Sequence, residues 1–174
     1  MWWSEPDSPD SPRAPDPARR AALLALAALA GCGFTPVYAP GNSGSALPGA
    51  VEVIQPGGDL GYWMTQTLQD RFGPPVEARF RLNMSLSANT ERVAVTAAQS
   101  TTRYNLVANA GYRLTDIATG KVVATGNVDG FTSYSAAGST VANRAALRDA
   151  FRRLAVILSD KIMLDLYAAP GLKP

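Results

Sequence analysis

From Val76 to Ser87 the chain alternates without a break. Val76, Ala78, Phe80, Leu82, Met84 and Leu86 are apolar, and Glu77, Arg79, Arg81, Asn83, Ser85 and Ser87 between them are polar. A period of two sustained this long describes a strand with one face on a core and one in water; a helix would scatter the apolar residues around its axis. The pattern returns at Tyr104, Leu106, Ala108, Ala110, Tyr112 and Leu114, set against Arg103, Asn105, Asn109, Arg113 and Thr115, with Val107 the exception. Asp116-Ile117-Ala118-Thr119-Gly120 then reads as a hairpin loop, with glycine where positive φ is cheapest. Lys121 to about Tyr134 is the returning strand, carrying Val122, Ala124 and Val128 on one face, with Gly126 and Gly130 suited to a bend or bulge. Together these strands form an antiparallel meander with one solvated face. Residues 88–102 carry a mixed signal: Val93 and Val95 continue a strand, and the Ala/Gln/Ser/Thr run after them reads as a loop.

Helical periodicity flanks the meander. The β-prone run Ala50–Ile54 stops at Pro56-Gly57-Gly58, and Asp59 is placed to cap a helix reaching Phe72. Leu60, Met64, Thr67, Leu68 and Phe72 fall near helical spacing, and Gly73-Pro74-Pro75 ends the run. Ser139 opens a longer helix in which Leu147, Phe151, Leu154, Leu158, Ile162 and Leu166 step by three or four, widened by Ala150 and Ala155. Arg148, Arg152, Arg153, Asp160, Lys161 and Asp165 take the rest of its surface. The order β-α-β-β-β-α predicts an α+β fold: an antiparallel sheet with two helices packed on its apolar face. The domain spans residues 50–168, and 169–174 form a tail.

The first 49 residues have a different character. Residues 1–18 are rich in Pro, Asp and Ser and cannot bury enough apolar surface to fold; they fit an over-extended gene start, with translation beginning nearer Arg19. Arg19-Arg20 precedes the apolar run 21–29, the layout of a secretory signal peptide and too short to span a bilayer. The arginine pair also occurs in twin-arginine export signals, but nothing else in the leader supports that route. Leu29-Ala30-Gly31-Cys32 matches the lipobox of bacterial lipoproteins. Its chemistry explains the spacing: the Cys32 thiol takes a diacylglyceryl group, and a peptidase cuts between Gly31 and Cys32, admitted by the small residues before the cut. The competing reading is a buried structural cysteine after a chance Ala/Leu helix. Gly33, where Asp would signal inner-membrane retention, implies passage to the outer membrane. Residues 32–49 read as a lipidated terminus and flexible tether in which Phe34, Val37 and Tyr38 stand out as apolar, suited to a partner or to the membrane interface.

Composition narrows the chemistry. Histidine is absent, which removes Ser-His and Cys-His catalytic pairs and the commonest transition-metal ligand. The single cysteine allows neither an intrachain disulfide nor a cysteine zinc site. No catalytic residue, metal or cofactor is expected. From Cys32 onward there are 13 Lys+Arg and 10 Asp+Glu, a net charge near +3: enough for an anionic surface or phosphorylated amphiphile, too little for nucleic acid.

Several stretches resemble the LptE (RlpB) family of lipopolysaccharide-assembly lipoproteins. They are LAGCGFTPVY at 29–38, TTRYNL at 101–106, YRLTDIATGKVVATG at 112–126, Ser133-Tyr134 and the terminal helix with Asp149-Ala150. The resemblance covers nearly all of the chain after the leader and implies a non-enzymatic protein of the outer membrane. Its implied partners are the large LptD-type β-barrel that exports lipopolysaccharide, which it helps to fold and plugs, and lipopolysaccharide itself. Two other classes stand beside this: an auxiliary lipoprotein of an ABC-type lipid transport system, and an anchored periplasmic enzyme. The enzyme has no G-x-S-x-G elbow or S-x-x-K pair to support it.

Strand parity puts Arg79, Arg81, Arg103 and Arg113 on the wet face of the sheet, as candidate contacts for lipopolysaccharide or the barrel. Their plain reading is solvated sheet surface. Tyr104 and Tyr112 share the core parity, so packing is their default role. Trp63 fits either a partner anchor or the rim of the core.

Overall fold

The computed structural model describes residues 43–95, 101–136 and 139–172. The leader, Cys32 with its lipobox, and the expected tether up to residue 42 lie outside the described residues, as do residues 96–100, where the sequence reads as a loop. The elements are α1 (Ser43–Ala46), β1 (Val51–Val53), α2 (Gly58–Phe72), β2 (Phe80–Val95), β3 (Thr101–Asp116), β4 (Val122–Ser135) and α3 (Thr140–Ala168), then a 3-10 turn at Pro170–Leu172. The four strands form one sheet in the order β1-β2-β3-β4, with helices against one face, the expected α+β architecture.

The core lies where the alternation puts it. Leu82 on β2, and Leu106, Ala110 and Leu114 on β3, are fully or almost fully buried. They meet Met64, Leu68 and Phe72 of α2 and Leu154, Leu158, Ile162 and Leu166 of α3. Ser139 caps α3 as expected, its Oγ accepting a hydrogen bond from the Ala142 amide at 3.3 Å. Trp63 sits partly buried between the two helices, with the Arg152 guanidinium 4.4 Å over its ring, so it closes the rim of the core.

Some details differ from the sequence reading, each for a physical reason. The meander is antiparallel, but β1 adds to its edge in parallel, Val51 opposite Phe80, because α2 carries the chain back across the sheet. The strand expected from Val76 begins only at Phe80. Val76 is 90% exposed, and residues 76–79 follow Pro74-Pro75 and hang on Gly49 and Ala50: the Val76 amide donates to Gly49 O at 3.0 Å, and the Arg79 amide to Ala50 O at 2.9 Å. At its far end the strand runs on to Val95, with register shifts after Arg92.

Gly57 rather than Asp59 is the N-cap of α2, with no side-chain cap bond; Asp59 lies inside the first turn, where its charge favours the free helix amides. The irregularity in β4 is at Val123, since Leu114 pairs with Ala124 and Thr115 with Val122, which leaves Val122 41% exposed. Gly130 serves close approach instead of a bend: a Cβ there would lie 3.2 Å from Ile157 Cγ2 and 3.3 Å from Leu158 Cδ2 on α3.

The fold is also longer than residues 50–168. Leu47 is wholly buried and the Gly49 amide donates to Phe72 O, so the stretch from Ser43 to Gly49 packs as part of the domain. At the other end Ala169 and Leu172 are buried, and the first residues of the expected tail cover the core.

Candidate functional site

The uncovered face of the sheet is built from the odd-numbered positions of the long strands. Arg81, Asn83, Ser85, Ser87 and Asn89 on β2 stand beside Asn105, Asn109 and Arg113 on β3 and Thr125, Asn127 and Asp129 on β4. Amides and hydroxyls dominate, so the surface offers donors and acceptors over a wide area with little charge. Its apolar exceptions are paired: Val107 is directly opposite Phe131, which is 63% exposed.

The strands do not bring the four candidate arginines together. Asn83 is opposite Arg113 and Arg81 opposite Thr115, so Arg81 and Arg113 are diagonal neighbours, about 7–8 Å apart at their backbones. Glu52 on β1 binds Arg81, with Nε 2.8 Å from Oε2. Arg113 has no ion-pair partner among the described residues and edges a shallow hollow of about 370 Å³ that Asn83, Ser85, Gly111 and Thr125 also line, with Gly111 in register between Ser85 and Asn127. A Cβ at Gly111 would lie 2.7 Å from Ser85 Oγ, so a larger residue there would displace that hydroxyl and fill part of the floor.

Arg79 lies before the strand. Its guanidinium is 4.9 Å from the Phe80 ring centroid and 3.6 Å from Asp116 Oδ2. Two hydrogen bonds from Thr119, through its amide at 2.9 Å and its hydroxyl at 2.8 Å, hold the Asp116 carboxyl below the usual carboxylate range, and Arg79 adds to the shift. Arg103 is ten residues from Arg113 along β3, roughly 34 Å at the rise of an extended strand. It lines a separate hollow of about 310 Å³ with Ser133, Ser135, Asp149 and Arg153. Arg153 there binds Asp149 at 2.8 Å and donates to the Ser133 carbonyl at 3.1 Å.

Parity places Arg81 and Arg113 on the uncovered face but carries no information on position along it, and Arg103 lines a hollow that it shares with Asp149 and Arg153 of α3. Glu52, in the middle of Val-Glu-Val, neutralises Arg81, and the sequence carries no signal of this because that strand is too short to show its partner. The sequence does carry a signal for Phe131, whose parity in β4 opposes that of the buried Val128. The two tyrosines pack as expected. Tyr104 stacks on Tyr134 with centroids 5.4 Å apart, and the Tyr112 hydroxyl donates to Asp165 Oδ2 of α3 at 3.1 Å. Among the described residues no group of three or more acidic or cysteine side chains could hold a metal ion.

Comparison with known proteins gives this surface a setting. A family model described as LptE, lipopolysaccharide-assembly, matches residues 49–166. A candidate lipoprotein from Caulobacter crescentus CB15 has a similar crystal structure, with TM-score 0.60 and 29% identity, covering 72% of this chain and 93% of that one. Rare lipoprotein B from Shewanella oneidensis shares the fold at TM-score 0.51 and 11% identity, over 68% of this chain and 92% of that one. Lipoprotein B from Nitrosomonas europaea does so at TM-score 0.51 and 14% identity, over 80% and 95%. No curated protein sequence matches the chain. With the family model spanning most of the folded residues, the chain belongs to the LptE family of lipopolysaccharide-assembly proteins.

Proposed function

We propose that this chain is an outer-membrane lipoprotein, anchored through Cys32 on the periplasmic side, that partners the LptD-type lipopolysaccharide-export barrel. In this reading it aids the barrel's assembly, plugs its lumen and helps deliver lipopolysaccharide to the outer leaflet, a non-enzymatic role that needs no cofactor. The observation that carries it is the family match over residues 49–166. The broad polar sheet face supports it, because a plug must lie against a wet, hydrogen-bonding wall instead of lipid.

Within that role Arg113 and its diagonal neighbour Arg81 are the contact for a phosphorylated head group. Arginine forks give phosphate charge-assisted, bidentate hydrogen bonds, and Arg113 is free of any ion pair among the described residues. Arg103 is a second, separate contact at the far end of β3. Arg79, already joined to Asp116, is the least available of the four.

The test combines Arg81→Ala with Arg113→Ala and measures lipopolysaccharide binding and co-purification with the barrel. Loss of binding with normal co-purification supports the head-group contact. Loss of co-purification instead places the face on the barrel wall. Normal behaviour in both assays leaves these arginines as solvated sheet surface. In parallel, Cys32→Ser should abolish incorporation of labelled fatty acid; equal incorporation would sink the anchor.

A further inference from the structure

We propose that the groove at the base of the domain is the seat of this chain's own segment Pro36-Val37-Tyr38-Ala39-Pro40, which lies outside the described residues. The groove has a volume of about 750 Å³ and is walled by Ala46, Pro48, Val76, Ala78, Ile117 and Ala118. Val76 is 90% exposed and Ile117 40% exposed, so two branched apolar side chains stand open to water at its mouth. Glu77 and Arg79 also line it and give it a polar rim.

The position of the entering chain identifies the occupant. Ala46 and Pro48 are both groove wall and follow directly on Ser43, where the described domain begins. Tyr38 is five residues before Ser43, a reach of at most about 17 Å. So short a connection holds it at an effective concentration in the millimolar range. In a stretch otherwise dominated by Gly, Pro, Ser and Asn, Val37 and Tyr38 are the large apolar residues adjacent to this entry. Tyrosine also suits the site: its ring fits between branched aliphatic walls, and its hydroxyl meets the charged rim.

The consequence for the anchor rests on the Cys32 reading, but the seat does not. Free, the eleven residues from Cys32 to Ser43 would span up to about 37 Å. With Tyr38 seated, the six residues from Cys32 to Tyr38 set the reach from the anchor, at most about 20 Å.

The experiment uses the full chain in detergent and follows chymotryptic cleavage after Tyr38 by mass spectrometry. Val76→Asp with Ile117→Asp should speed that cut on the order of tenfold, with an unchanged thermal melt, because both side chains are already exposed. A cysteine pair replacing Tyr38 and Ala118 should form a disulfide, while Tyr38→Cys with Asn127→Cys, on the outer sheet face, should not. Both assays are repeated with Cys32→Ser. The seat should persist there, and loss of lipid labelling alone bears only on the anchor. Equal cleavage of the two chains, or cross-linking no better at Ala118 than at Asn127, overturns the proposal and gives the groove to another occupant.

Discussion

The phenol of Tyr112 covers the space where its cross-strand partner, Gly126, would carry a Cβ. A Cβ built on Gly126 lies 2.5 Å from the Tyr112 hydroxyl oxygen and 2.7 Å from Cε1 and Cζ. The ring thus lies flat over the glycine and delivers its hydroxyl to Asp165 on α3. Gly126→Ala would push the ring off the sheet and break that bond to the helix. The expected loss is about 1–3 kcal/mol, in the range of other overpacking changes. Urea melts check this, and a double-mutant cycle with Tyr112→Ala should recover much of the loss if the ring is the obstacle.

The same phenol titrates late. Burial, then the nearby charge of Asp165 and the hydrogen bond to it, push the Tyr112 pKa up to about 12 from an ordinary value of 10.0. The folded state therefore holds this proton more tightly than the unfolded chain does. Its contribution is complete below pH 10 and is lost as the pH climbs from about 10 through 12. Urea midpoints measured between pH 9 and 12 should fall more steeply for the wild type than for Tyr112→Phe. Parallel curves would show that this phenol is not the group responsible.

What could be read beforehand follows from how each feature is encoded. The parity of Leu82 and Leu114 was visible because strand period is written in consecutive residues. The direction of β1 was not, since three residues of Val-Glu-Val look the same in parallel and antiparallel pairing. Gly126 was visible as an exception within a strand, but its cause is a ring on another strand 14 residues away. The candidate site shows the same division. Parity put Arg81 and Arg113 on one face, while their spacing and the partners Glu52 and Asp116 come from segments distant in sequence.

The start of β2 offers a direct comparison of pattern against packing. Leu82 is fully buried, so Leu82→Asp places an unpaired carboxylate in the core. That costs several kcal/mol against a total stability of about 5–15 kcal/mol, and the domain should unfold. Asn83→Asp faces water opposite Arg113 and should be nearly silent. Val76 shares the apolar parity of Leu82 but is 90% exposed, so Val76→Asp should also be silent. Thermal melts of the three variants decide it: if Val76→Asp unfolds the domain, the alternation is right there and the link to Gly49 is wrong.

The free edge of β2 sets the pattern of amide exchange. The Phe80 amide donates to Ala50 O at 2.9 Å, and Leu82 O accepts from the Ile54 amide at 2.9 Å. Even-numbered residues of β2 therefore turn their backbone groups toward β1, and odd-numbered ones toward β3. But β1 ends at Val53, and past Ile54 no described backbone continues along that edge. The amides of Leu86, Ala88 and Thr90 thus point away from the ladder, while those of Ser85, Ser87 and Asn89 lie within it. Hydrogen exchange at residue resolution should show fast and slow amides in strict alternation from 85 to 90, with Ala88→Pro tolerated and Ser87→Pro destabilising. Uniform protection along this stretch would mean that another strand, from this chain or a second copy, pairs with the edge in solution.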